Sequence, residues 1–114
     1  MDNIIEKKSF DFAVRIVNLY KHLTVNKREK VLSKQVLRSG TSVGANVAEA
    51  QQAQSKADFV SKMNIALKEI SETKYWIKLL YATKYLSEEE ETSILSDCIE
   101  IEKILVTIIK TSKQ

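Results

Sequence analysis

The stretch Val36-Leu-Arg-Ser-Gly-Thr-Ser-Val-Gly-Ala-Asn-Val-Ala-Glu-Ala50 holds both glycines of the chain, Gly40 and Gly44, inside a segment whose apolar spacing is helical. A glycine in a helix interior costs about 1 kcal/mol relative to alanine, so two in one element need a compensating role. Close packing supplies it. With Ala48 they form a ridge of small residues at i, i+4 and i+8, along which another backbone can come nearer than side chains ordinarily permit. The fold predicted from this ridge is a helix bundle.

Working outward, the chain has 114 residues, no proline, 44% hydrophobic and 29% charged side chains, which fits one all-α domain spanning residues 1–114. Four segments carry a helical period. The first lines up Ile5, Phe12, Ile16, Leu19, Tyr20 and Leu23, opens with Asn3 and Glu6 at capping-box spacing, and should end near Thr24. The second is predicted to start at Asn26, with Glu29 three residues on, and aligns Leu32, Val36, Ser39, Val43, Val47 and Ala50. The third opens at Ser55, with Asp58 three residues on, and runs through Phe59, Met63, Ala66, Ile70, Ile77 and Tyr81. Ser87 and Glu90 cap the fourth, whose stripe is Ile94, Cys98, Ile101, Leu105 and Ile108. The connections around Val25, Gln54 and Leu86 are short, so successive helices are antiparallel neighbours. The predicted fold is an antiparallel up-down-up-down four-helix bundle.

Several functions are disfavoured by composition. No apolar run approaches the roughly 18 residues of a membrane span, and the N-terminus, with Asp2, Glu6, Lys7 and Lys8, lacks a signal-peptide core, so a cytoplasmic protein is expected. One cysteine, Cys98, and one histidine, His22, cannot build a disulfide or a tetrahedral metal site. Leu19 stands three residues before His22, where a di-iron bundle carries glutamate. Cys98 lies on a core stripe, where a thiol is inert, and no glycine-rich phosphate loop is present. The expectation is no enzyme, no metal and no cofactor. The Glu88 to Glu91 run reads most simply as a first helical turn stabilised by the helix dipole.

The net charge is only +3, but Lys27, Arg28, Lys30, Lys34 and Arg38 face the single acid Glu29, while Asp97, Glu100 and Glu102 make the last part acidic. Such separation favours an anionic partner and, equally, head-to-tail contact between copies. On a helix starting at Asn26, Lys27, Lys34 and Arg38 would share one side with Lys30 nearby, either a ladder for phosphates or an ordinary solvated face. Arg38, Ser42, Asn46 and Glu49 lie nearly in line beside the core stripe. Arg38 and Glu49 are too far apart to pair, so a neighbouring helix or the groups between them must complete a polar network; the alternative is a ligand site. Tyr75, Trp76, Tyr81 and Tyr85, interleaved with Lys74, Lys78 and Lys84, are packing anchors or, on the other reading, base-stacking platforms.

The apolar arcs of the last two helices are wider than a monomer needs. Leu95, Ile99 and Val106 flank the fourth stripe, and Ile65, Trp76 and Leu80 flank the third, so Trp76, Leu95 and Ile99 are candidate anchors of an oligomer interface.

The segments Arg38-Ser-Gly-Thr-Ser-Val-Gly-Ala-Asn-Val-Ala-Glu49, Ser55-Lys-Ala-Asp-Phe59 and Ile65-Ala-Leu-Lys-Glu-Ile-Ser-Glu-Thr73 before Trp76 resemble the four-helix bundle proteins encoded within 23S rRNA intervening sequences. That family was once counted among ribosomal proteins and is related to the accessory variability protein of diversity-generating retroelements. Ala50 departs from the glycine that many relatives carry after the glutamate. The resemblance implies a small bundle with basic surface assembled into a homo-oligomeric ring, typically a pentamer, with Arg38, Ser42, Asn46 and Glu49 as a signature stripe. For the retroelement relatives it implies binding to nucleic acid and to a reverse transcriptase. The leading expectation is an oligomeric bundle that binds RNA or a ribonucleoprotein through Lys27, Lys30, Lys34 and Arg38. The alternative is a ring-forming protein scaffold whose lysines only confer solubility.

Overall fold

The computed structural model describes residues 3–113. Met1, Asp2 and Gln114, which include the two ends of the expected 1–114 domain and one residue of the N-terminal charge pattern, lie outside the described residues. Four helices follow one another: α1 (Ile4–Val25), α2 (Leu32–Ala50), α3 (Lys56–Ala82) and α4 (Glu88–Ser112). Ion pairs between them record their direction. Arg38, early in α2, meets Glu69 and Glu72 of α3, whereas Glu49, at its far end, meets Lys62, so α3 runs back along α2. Lys8–Glu100 at 3.0 Å and Arg15–Asp97 at 2.7 Å give the same antiparallel sense for α1 and α4. Each helix packs closely on the next in sequence and α1 only lightly on α4, in a bundle measuring 44 × 22 × 20 Å.

Three helix starts follow local capping chemistry. The Asn3 and Ser55 side chains accept from the N–H groups of Glu6 (3.2 Å) and Asp58 (3.0 Å), and Ser87 and Glu90 form a reciprocal capping box. The start of α2 differs from the sequence expectation. Asn26 closes α1 by donating its N–H to the His22 carbonyl, the chain turns through Arg28 at φ 55°, and the helix begins only at Leu32. The Glu29 carboxylate, buried beneath this turn, accepts from the N–H groups of Val31, Leu32 and Ser33 at 3.2, 3.1 and 2.7 Å. Those donors have no acceptor within the helix, so the carboxylate sets the start of α2 at Leu32, well past Asn26.

The core holds Ile16, Leu23, Val36, Val43, Ile70, Ile77 and Leu105, all fully enclosed. Three positions shift from the expected stripes. Leu80 is buried while Tyr81 is 39% exposed, Ile109 takes the buried place expected for Ile108, and Ser33 takes that expected for Leu32. Cys98 is enclosed, and burial, with the Asp97 charge beside it, pushes its thiol up to about 12. Among the described residues four hydroxyl side chains, Ser9, Ser33, Ser39 and Thr73, are also buried, and Thr73 bridges the Ser39 oxygen and the Glu69 carbonyl oxygen, each at 2.8 Å.

The glycine ridge faces α1. A Cβ on Gly44 would stand 3.1 Å from the Ser9 carbonyl oxygen, so here two backbones are in contact. A Cβ on Gly40 would fall 2.8 Å from Cγ1 of the enclosed Ile16. Ala48 is exposed and takes no part in this close approach; it lines the outer groove between α1 and α2 instead.

Candidate nucleic-acid interface

Because α2 starts late, Lys27 and Lys30 lie in the α1–α2 connection and only Lys34 and Arg38 are helical. The expected ladder of Lys27, Lys34 and Arg38 along one helix therefore does not form. Arg38 is also occupied: its guanidinium pairs with Glu69 and Glu72 and donates to Gln35. A different basic cluster replaces the ladder. Antiparallel packing brings the α1–α2 and α3–α4 connections to one end of the bundle, so that Lys27, Arg28, Lys30 and Lys34 share that end with Lys84. All five are exposed, and among the described residues none of them is in an ion pair.

The α3–α4 connection is a tight cap. The N–H groups of Tyr85 and Leu86 return to the Leu80 carbonyl oxygen at 2.8 and 3.4 Å, that of Lys84 returns to Tyr81 at 3.0 Å, and Lys84 itself sits at φ 73°. Glycine is the usual residue in this left-handed position. Beside it, Lys27, Tyr81, Lys84, Tyr85, Ser87 and Glu90 line a hollow of about 490 Å³. Donation from the Ser87 N–H, outweighing the opposing effect of burial, holds the Glu90 carboxyl below its ordinary value, and the charges of His22 and Lys27 add to this. This end thus offers several unshared cations and two phenol rings, beside the first-turn carboxylates Glu88, Glu89, Glu90 and Glu91 of α4.

The stripe Arg38, Ser42, Asn46 and Glu49 runs along the α2–α3 seam. Its two ends are tied to α3, by Arg38 to Glu69 and Glu72 and by Glu49 to Lys62 at 3.2 Å. Its middle bonds back onto its own helix, Ser42 to the Arg38 carbonyl at 2.6 Å and Asn46 to the Ser42 carbonyl at 2.8 Å. The neighbouring helix therefore takes the two ends of the stripe separately, while its middle is satisfied within α2. Three acids further along α4 are similarly consumed within the chain: Asp97 by Arg15, Glu100 by Lys8 and Glu102 by Lys74.

The aromatics Tyr75, Trp76, Tyr81 and Tyr85 divide into two pairs. Trp76 donates its indole N–H to Glu72 at 2.8 Å and meets Tyr75 edge-on with ring centres 5.0 Å apart, and neither lines the hollow at the basic end. Of the candidate interface anchors, Trp76 and Leu95 are half-buried against the core and Ile99 is 43% exposed. A larger unpartnered apolar surface lies elsewhere. Phe10 is 68% exposed and Ile4 61%, beside a groove floored by Ala13, Gly44, Ala45 and Ala48.

Sequence reasoning missed Arg28 and Lys84 as the pair that turns the two connections, and Phe10 as the exposed anchor. For Phe10 a signal existed, since it falls off the stripe of Ile5, Phe12 and Ile16. For Arg28 and Lys84 none did, because a left-handed residue other than glycine leaves no compositional mark.

A sequence profile of 23S rRNA-intervening sequence proteins matches residues 1–107. The chain is also similar to a protein of unknown function from the S23 ribosomal protein family of Bacteroides thetaiotaomicron, known from a crystal structure. The two are 58% identical over 95% of this chain and 96% of that one, with a TM-score of 0.94. No curated protein matches the chain.

Proposed function

The chain belongs to the 23S rRNA-intervening sequence protein family, and from that premise we propose that it is a non-enzymatic, self-associating bundle that binds RNA through the basic end formed by its first and third connections. The observation that carries the reading is the convergence of Lys27, Arg28, Lys30, Lys34 and Lys84, none of them in an ion pair among the described residues, at an end that also carries the first-turn acids Glu88 to Glu91. Cations that a fold leaves unpaired at one end release counterions when they meet phosphates, and this supplies most of the affinity of sequence-independent nucleic-acid binding. Arg38, already held by two carboxylates, is the weakest member of the original set. An RNA partner places the working protein in the cytoplasm.

Self-association rests on the α1–α2 groove. Phe10 stands as a knob beside a floor of small residues that such a ring can fill, so one surface carries both halves of a contact with a second copy. Lys7 and Asp11 on its rim pair with each other at 2.8 Å while largely exposed, a bond worth less than about 1 kcal/mol that two copies can exchange crosswise. A ring, with five members as in the family's typical assembly, would present several basic ends together and multiply a weak site. This groove is also what favours the second reading, a scaffold that assembles without touching RNA.

A salt titration of RNA binding separates the two. Wild type should bind with affinity falling steeply as salt rises, and Lys27→Glu with Lys34→Glu should abolish binding while leaving helical circular dichroism unchanged, because both side chains are exposed. No binding by wild type at low salt, or equal binding by the double variant, would replace the RNA reading with the scaffold.

A further inference from the structure

We infer that the hollow between the two connections seats an unpaired RNA nucleotide, its base stacked on Tyr81 and Tyr85 and its phosphates held by Lys27 and Lys84. This rests on the RNA-binding reading and narrows it to single-stranded RNA. The volume, about 490 Å³, lies within the range of small-ligand sites. Its chemistry is mixed in the way a nucleotide is mixed. Two ammonium groups suit the phosphate, two phenol rings suit the flat face of the base, and the ionised Glu90 carboxylate can accept from base N–H groups. Tyr81 is 39% exposed at the last turn of α3, where a long helix gains nothing from leaving an aromatic ring outside.

An independent observation comes from the backbone. Among the described residues only Arg28 and Lys84 combine a side chain with positive φ, at 55° and 73°, and one lies in each of the two connections at this end. Residues other than glycine adopt this conformation at a cost, and such positions concentrate at functional sites. Both glycines of the chain stand in α2, and the residue at each of the two left-handed turns is a cation.

Duplex RNA has its base faces covered by stacking, so lysines alone would serve it and the tyrosines would be idle. The test is fluorescence anisotropy with a short unstructured RNA and the same sequence as a duplex. Wild type should prefer the single strand by about tenfold, Tyr81→Ala should lose that preference without changing duplex binding, and Tyr81→Phe, which keeps the ring, should retain it. Equal affinity of wild type for the two forms, or no effect of Tyr81→Ala on the single strand, overturns the inference. So does displacement of the RNA by polyglutamate at equal charge, which would mean a site for acidic peptide. If the double lysine variant loses both RNA forms while Tyr81→Ala changes neither, RNA binding stands and the nucleotide seat falls; if wild type binds neither form, both fall.

Discussion

Toward α1, helix α2 presents Gly40 and Gly44; toward α3 it presents Arg38 and Glu49. The first seam is closed by deleting side chains until the Ser9 backbone lies against Gly44 and Ile16 fills the space over Gly40. The second is bridged from its rim by long side chains, with Arg38 and Glu49 pairing across to Glu69, Glu72 and Lys62. Both seams hold, but they respond differently to change. A close-packed seam has no room to absorb an added atom, whereas a half-exposed ion pair competes with water and salt and contributes little net free energy. The same helix therefore carries a face toward α1 that is intolerant of substitution and an exposed rim toward α3 that is permissive.

The largest expected effect follows from the tight seam. Gly44→Leu should destabilise the bundle by about 1 to 3 kcal/mol beyond any gain in helix propensity, because the neighbour it displaces is main chain. Gly44→Ala should stay within about 1 kcal/mol of wild type, its propensity gain offsetting a contact at 3.1 Å from Ser9. Thermal melting decides the matter, and a leucine variant as stable as wild type would remove the argument for close approach.

Gly40 allows a cleaner test, since its obstacle is a side chain. Gly40→Ala should cost about 1 to 2 kcal/mol alone and much less in an Ile16→Ala background, giving a coupling of at least about 0.5 kcal/mol in a double-mutant cycle. Additive effects would mean that Ile16 is not what the new methyl meets.

The entry to α2 should be pH-sensitive where the glycine seam is not. Burial pushes the Glu29 carboxyl up, but donation from the Ser33, Leu32 and Val31 N–H groups outweighs it and leaves it below the ordinary 4.5. A depressed carboxyl contributes stability that is present above its unfolded value and lost as pH falls through the folded one. Chemical denaturation of wild type and Glu29→Gln should accordingly differ by about 1 kcal/mol at neutral pH and converge below about pH 4.5. A difference that persists undiminished in acid would point to shape rather than charge.

The smallest effect belongs to the polar seam. Arg38→Gln should cost less than about 1 kcal/mol, and molar salt should shrink the difference further. A loss as large as that of Gly44→Leu would erase the contrast between the two faces.

The fold was legible because its determinants are local. Asn3, Ser55 and Ser87 cap their helices through residues three positions on, and short connections leave antiparallel packing as the natural arrangement. The start of α2 was not legible for an instructive reason. Asn26 and Glu29 repeat the spacing of Asn3 and Glu6, yet Glu29 caps through a backbone turn at Arg28 that no spacing encodes. That one shift moved Lys27 and Lys30 off the helix and turned a ladder into a cluster at the bundle end. The width of the apolar arcs shows a second limit of spacing. Leu80 is fully buried and Trp76 and Leu95 are half-buried against the core, whereas Ile99 is 43% exposed. Periodicity gives the centre of a buried arc and says nothing of its edges.

The hydroxyl pair between Ser39 and Thr73 bears on how the chain chooses among its own possible packings. The other buried contacts of the α2–α3 seam are mostly apolar, so a slip of α3 by one turn, about 5.4 Å, would keep much of the apolar burial. That slip would separate Thr73 from Ser39, both at 0% exposure; Thr73 would keep the Glu69 carbonyl, but the Ser39 hydroxyl would lose its partner, at a cost of about 1 to 3 kcal/mol. Two small oxygens thereby act as an alignment key: they add little to the stability of the native state and much to the distance between it and its nearest competitor.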